Sequence, residues 1–389
     1  LSNKLINKVK QVFQHRFRTT ASTILLSPGR INLIGEHTDY NNGLVLPAAI
    51  NRYMVFAMSL NGLGKHRIYA MDVDDEIQLE LHDFNKSDHS WTNYFIGILK
   101  EFHSMSHMSG IDCCFASDIP IGAGLSSSSA MECGFMKGLN HLFHLNLTEW
   151  EMINISQRSN HDFLGIQGGI MDQFACFYGK ADHAMMLDCR DSSHTYVPIH
   201  LPDHQFVLFD TKVSHDHLTS KYNERVAECR RAVDLLAAKH SNLKTLRDVD
   251  EVMLKQHGHL LNPISLNRAK FVVQENRRVE LFMNALRESD IQLLGSILTM
   301  SHLGLQRQYE VSCKELDLMV DLALPLVGVL GARMMGGGFG GCTLNLMEKE
   351  HVDHVIFSVL SQYKKRTGTE CDAYIVKMVE GAQVVLMAY

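Results

Sequence analysis

The segment Gly122-Ala-Gly-Leu-Ser-Ser-Ser-Ser-Ala130 constrains this chain more than any other, because it is wedged between an apolar strand-like run and a helical pattern. Two glycines let the backbone come close to an anion. Consecutive hydroxyls add donors, and the free N–H groups of a helix start point the same way. No Gly-Lys-Ser/Thr follows, so this is not a Walker A loop. A flexible Gly/Ser linker has the same composition, but linkers are rarely set between a strand and an amphipathic helix. Ala130, Met131, Phe135, Leu139, Leu142 and Phe143 carry that helix forward.

A chain of 389 residues is long for one core, and 46% apolar with 21% charged residues is a globular balance. Two domains are expected, 1–195 and 196–389, parted in the polar stretch that holds Pro198 and Pro202. The net charge of −6 works against binding a nucleic-acid backbone, so an anionic ligand must be held by a local site. No run approaches the roughly 18 apolar residues of a membrane span. Leu1–Phe17 lacks a long apolar stretch and reads as a surface helix instead of a signal peptide. Nine cysteines without a Cys-x-x-Cys pair read as reduced thiols packed as small core residues. A soluble, cytoplasmic protein is expected, with no membrane or nucleic-acid partner.

Ile24–Leu26 and Ile31–Ile34 read as strands on either side of Pro28-Gly29, and Asn41-Asn42-Gly43 as a tight turn before Leu44-Val45-Leu46. Residues 72 to 90 are polar and acidic, as in a solvated hairpin. Trp91–Met105 is helical in spacing, Thr148 with Glu151 forms a capping box, and Tyr222, Val226, Cys229, Val233 and Leu236 mark a long amphipathic helix. Ala373–Met378 and Gln383–Met387 are late strands. Helices and alternating strands run throughout, so the class is α+β.

Three further segments carry chemistry. Gly336-Gly-Gly-Phe-Gly-Gly341 fits the dinucleotide fingerprint formally, but the alternating Thr343-Leu-Asn-Leu-Met follows it in place of a helix. A buried strand-to-strand turn fits better. Arg30-Ile-Asn-Leu-Ile-Gly-Glu36-His37-Thr-Asp39-Tyr ends in donors and acceptors suited to sugar hydroxyls, although a plain surface loop offers the same residue types. Asp172 stands in the apolar, glycine-rich Gly168-Gly-Ile-Met-Asp-Gln, as either a structural carboxylate or a base. The histidine pairs His215/His217, His257/His259 and His351/His354 lack a clear third ligand and read as structural or surface residues.

In order and in content, these segments resemble the GHMP small-molecule kinases, and the galactokinases among them. Ser27-Pro-Gly-Arg-Ile-Asn-Leu-Ile-Gly-Glu-His-Thr-Asp-Tyr40 is similar to the galactokinase signature, Gly122–Ser128 to the second family motif, and Gly331–Cys342 to the third. Asp210-Thr-Lys-Val-Ser-His and Lys221-Tyr-Asn-Glu-Arg225 also look like galactokinase segments. The resemblance runs from about residue 20 to the end.

That resemblance implies two α+β domains with the active site in the cleft between them, ATP as co-substrate with Mg²⁺, and galactose as acceptor; the sequence does not give the oligomeric state, and a monomer is favoured. It places Asp172 as general base beside the sugar O1, with Arg30 balancing charge on the transferring group. It gives Glu36, His37, Asp39, Gly169 and Tyr222 to the sugar. Gly122, Gly124, Leu125, Ser126, Ser127 and Ser128 fall to the triphosphate, with Ser128 on Mg²⁺. Trp91 and Tyr94 match a segment near adenine, or equally a helix core. One position departs from the pattern: galactokinases usually carry Glu twelve residues before the base, and here Asn160 stands there. An amide is a poorer partner for a hard cation than a carboxylate, but Asn160 is still expected to lie near the metal and to meet it directly or through water. An N-acetylgalactosamine kinase and a non-catalytic galactose sensor are the alternatives; the intact serine loop and Asp172 favour an enzyme.

Overall fold

The computed structural model describes residues 2–105, 109–213 and 218–387. His215, His217 and the end of the Asp210–His215 segment therefore lie outside the described residues. In chain order the helices are α1 (Ser2–Phe17), α2 (Thr92–Met105), α3 (Ser127–Leu142), α4 (Glu149–Arg158), α5 (Met171–Tyr178) and α6 (Leu218–Ala237). After these come α7 (Glu251–His257), α8 (Pro263–Glu288), α9 (Ile291–Gly304), α10 (Lys314–Ala323) and α11 (Val352–Thr367).

The strands are β1 (Thr23–Asn32), β2 (Leu44–Val45), β3 (Pro47–Leu60), β4 (Lys65–Ala70), β5 (Asp75–Glu80), β6 (Ile111–Ser117) and β7 (His183–Asp188). They continue with β8 (Ser193–Pro198), β9 (His204–Asp210), β10 (Val329–Met334), β11 (Cys342–Glu348), β12 (Asp372–Ile375) and β13 (Gln383–Met387). Three sheets result, in the orders β13-β1-β3-β6-β4-β5, β10-β11-β9-β12 and β2-β7-β8. Among the described residues every pairing is antiparallel except β4 with β6.

The six-stranded sheet is covered on both faces, and the period of two sorts its residues. Ile24, Leu26, Val55, Ala57, Cys114 and Ala116 pack against Val9, Phe13 and Phe17 of α1. Their neighbours Leu25, Met54, Phe56, Met58, Cys113 and Phe115 join the main core with Phe135 and Leu139 of α3. That core also takes in Phe206, Leu208, Val279, Phe282 and Leu294 from the later part of the chain. Strand β13 returns from the C-terminal end to pair with β1. Residue 195 falls inside β8, and the passage to β9 is the short link 199–203.

Two expectations about elements need correcting. Pro28-Gly29 does not separate two strands: β1 is continuous, and the pairing with β3 slips between Pro28 and Arg30 as a bulge. The extra residues lie on β3, where Tyr53 and Ala49 oppose Pro28 and Arg30. Helix α4 begins at the expected capping box of Thr148 and Glu151 but does not close as an α-helix. It widens into a π-helical turn at Ser159–Leu164, which carries Asn160. Such turns gather at functional sites.

The cysteines are free, and all but Cys189 and Cys313 are buried. Among the described residues no helix is long and apolar enough to cross a membrane.

Candidate active site

Helix α3 starts at Ser126, whose left-handed backbone (φ +56°) makes no side-chain cap. The first N–H groups of the helix are left open, as an anion site requires. With its hydroxyl freed from capping, Ser126 donates to Asp172 Oδ2 instead. A hollow of 230 Å³ lies over this turn, lined by Gly122, Gly124, Leu125 and Ser126 to Ser128 on one side and Met335, Gly337, Gly338 and Gly340 on the other. The second wall is the β10–β11 turn. It packs backbone against backbone on the serine loop: at Gly341, with φ +83°, a Cβ would stand 3.0 Å from the Ala123 carbonyl. Glycine is required there on both counts.

A larger cavity of 310 Å³ adjoins it, and Arg30 and Ser128 line both. Arg30 is the bridge. Its Nε and Nη2 donate to the two oxygens of Asp172 at 2.7 and 2.9 Å, and Nη1 reaches the Gly124 carbonyl at 2.6 Å. Burial opposes the guanidinium charge, and the Asp172 carboxylate more than restores it. Asp172, on the first turn of α5, keeps 30% of its side chain exposed to the cavity, against 6% for Arg30. A carboxylate oriented at both oxygens yet open on one side is placed to receive a proton.

Glu36, His37, Asp39, Gly169 and Tyr222 all line the same cavity. His37 shares a hydrogen bond with Tyr40 through Nδ1 at 2.9 Å, and its buried Nε2 has no partner among the described residues. Burial pulls this imidazole down to about 3, so it stays neutral. Burial, and then the charge of Asp172, lift Asp39 to about 7. Burial likewise keeps the Tyr222 phenol protonated. Glu36 is more committed: Oε1 accepts from Arg333 Nη2 at 3.0 Å and from the Gly336 N–H at 2.8 Å, and Oε2 accepts from Asn32 at 3.1 Å.

Gly169 is a glycine because its Cα faces the Asp39 carboxylate, which an added Cβ would overlap. Gly169→Ala is therefore expected to displace Asp39 and raise the KM for the acceptor about tenfold, the size of a moderate overpacking cost. The KM for the nucleotide should hold. An unchanged acceptor KM in steady-state kinetics would mean that Asp39 does not touch the substrate.

Tyr94 lines the large cavity beside Ser128, but Trp91 lines neither hollow. Trp91 donates through Nε1 to Asp75 at 3.0 Å and packs edge-on against Phe95 and Phe115. Asn160 reaches the large cavity, and its Nδ2 donates to Glu132 at 3.3 Å. Asp162 is exposed.

Sequence reasoning missed Glu132, Gln173, Arg333 and Tyr309. Glu132 had a signal: it is the lone carboxylate among Ala130, Met131, Cys133, Phe135 and Met136, four residues after Ser128. Arg333 had one too, as a charge inside an apolar strand. Tyr309 packs on His37 and hydrogen-bonds Tyr40 at 2.6 Å, a purely tertiary meeting.

Residues 11–60 match the galactokinase galactose-binding signature, 93–180 the GHMP kinases N-terminal domain, and 282–365 the GHMP kinases C-terminal domain. Galactokinase of Roseiflexus sp. is 36% identical over 380 residues, covering 97% of each chain. The chain belongs to the galactokinase family. Galactokinase of Thermotoga petrophila is also 36% identical, over 92% of this chain and 99% of its own. Among solved structures, Lactococcus lactis galactokinase complexed with galactose superposes with a TM-score of 0.93 at 30% identity, covering 97% of this chain and 99% of its own. A mevalonate kinase at 16% identity and a TM-score of 0.66 shares the fold. As a galactokinase-family member the protein is a GHMP-fold kinase, and kinases of this family take ATP as co-substrate.

Proposed function

We propose that the protein transfers the γ-phosphate of ATP to the anomeric hydroxyl of galactose, giving galactose 1-phosphate and ADP. The observation that carries this reading is the two-pronged Arg30–Asp172 pair, set where the acceptor cavity meets the phosphate-binding turn. Asp172 takes the proton of the sugar O1 as the bond from O1 to the γ-phosphorus forms and the bond to the bridging β,γ-oxygen breaks. Two of the five guanidinium N–H groups of Arg30 remain unassigned by its contacts among the described residues, and its positive charge balances the charge that shifts onto the phosphates. Glu36, His37, Asp39, Tyr222 and the backbone of Gly169 surround the sugar hydroxyls. Gly122, Gly124, Leu125 and Ser126 to Ser128 hold the triphosphate, with Tyr94 on the nucleotide side.

The donor set fits Mg²⁺, since the Ser128 hydroxyl and the buried Oε1 of Glu132, unpartnered among the described residues, offer hard oxygen atoms around one cavity that Asn160 also lines. When bound, the ion neutralises charge on the β- and γ-phosphates. Residues 1–195 supply the base, the sugar signature and the phosphate turn in this reading, and residues 196–389 supply the glycine-rich wall and Tyr222.

A coupled ADP-release assay across galactose, N-acetylgalactosamine, glucose and mevalonate tests the proposal. Galactose should turn over, and glucose, which differs at C4 alone, should fall below galactose in kcat/KM by at least about tenfold, because a site paired to the axial hydroxyl is left unpaired by the equatorial one. Equal kcat/KM for the two hexoses, or turnover of mevalonate alone, overturns it.

A further inference from the structure

Glu132 is a buried carboxylate without a counter-charge. It is 1% exposed on α3, and among the described residues no Lys, Arg or His pairs with it. Its Oε2 accepts from three neutral donors, Ser156 Oγ at 2.6 Å, Gln173 Nε2 at 3.1 Å and Asn160 Nδ2 at 3.3 Å. Its Oε1 is buried and has no hydrogen-bond partner among the described residues. A buried anion held by neutral dipoles alone is costly, and proteins ordinarily balance one with a cation. Glu132 lines the large cavity together with Ser128, one helical turn earlier on the same face of α3, and with Asp172.

We propose that Glu132 supplies the carboxylate that meets the metal ion of the metal–nucleotide substrate, and that Asn160 is not a ligand but the residue that orients Glu132. The inference rests on the reading of the protein as an ATP-dependent kinase. Asn160 turns its NH₂ group toward Glu132 Oε2, which leaves Oε1 as the free oxygen. A carboxylate at position 160 would stand against Glu132 as a second negative charge, and the amide replaces that repulsion with a hydrogen bond. The donors on Oε2 also include Gln173, the neighbour of Asp172, so the same carboxylate ties the metal side of the cavity to α5.

The test is the affinity of the whole protein for a non-hydrolysable ATP analogue, measured by calorimetry with saturating Mg²⁺ and again in EDTA. Glu132→Gln preserves shape and removes charge. It is expected to weaken the Mg²⁺ form at least about tenfold, as loss of groups around a metal commonly does. The same variant should bind the metal-free analogue more tightly than wild type, because a negative charge facing the phosphates is gone. This opposite movement is a signature that a packing defect does not produce. Asn160→Ala should weaken the Mg²⁺ form by a smaller factor. Glu132→Asp, which keeps the charge, should retain a Mg²⁺ preference and guards against a folding failure of the Gln variant.

Equal weakening of both forms by Glu132→Gln would reduce Glu132 to a structural residue. A larger loss in Asn160→Ala than in Glu132→Gln would make Asn160 the ligand. Either result overturns the proposal. Because sugar is absent from this measurement, a failure of galactose to serve as acceptor leaves the inference untouched and is seen separately in the turnover assay.

Discussion

Asp172→Ala is expected to lose at least about 100-fold in kcat while galactose still binds, the low end of what a positioned general base contributes. Its carboxylate is gripped at both oxygens by Arg30 and touched by Ser126, yet it opens on the 310 Å³ cavity. Groups that act mainly in the transition state lower kcat far more than they raise KM when removed. Removal also leaves Arg30, 5% exposed, without its anion. Asp172→Asn therefore belongs beside it: the amide keeps the volume and one acceptor oxygen but cannot take the proton. Stopped-time assays at saturating ATP and galactose, with circular dichroism to confirm folding, check the result. Near-normal turnover in either folded variant rules out Asp172 as the base.

The second large effect falls on stability. Arg333 is fully buried and spends its guanidinium on Glu36, on the carbonyls of Leu33 at 3.1 Å and Met334 at 2.8 Å, and on the Asn32 carbonyl. Glu36 in turn holds the Gly336 N–H and Asn32. One ion pair thus fastens the end of β1 and the loop after it to the β10–β11 turn, 297 residues apart. Arg333→Met should cost about 3–5 kcal/mol, because it strands a carboxylate in the interior. Adding Glu36→Gln should recover part of the loss, since the uncompensated charge is then gone. Urea unfolding midpoints of the wild type, the single variant and the double variant measure this. A loss under about 1 kcal/mol would place the pair with exposed salt bridges in energetic weight.

Local patterns carried much of the fold. The cap at Thr148 and Glu151 and the helices after Trp91, Ser126 and Leu218 follow from short-range periodicity and hydrogen bonding, which a sequence displays directly. The glycine turn at Gly336–Gly341 was legible as a strand-to-strand connection for the same reason. The bulge at Pro28–Arg30 and the π turn at Ser159–Leu164 were not. Both are local departures from a regular ladder, and they arise from pairing and packing elsewhere.

The site divides in the same way. Its residue types and their order along the chain were set by the sequence alone: a glycine- and serine-rich turn at Gly122–Ser128, a cluster of polar groups at Glu36–Asp39, and a carboxylate at Asp172. Which of these touch is a tertiary matter. Asp172 meets Arg30 across 142 residues, Asp39 meets Gly169 by backbone approach, and Tyr309 closes on His37 from the far half of the chain. Burial decides the rest. The same two carboxylate types that titrate near 4 in water are lifted to about 7 at Asp39 and Glu132, because the desolvation cost of a charge depends on what surrounds it in space and not on its neighbours in sequence.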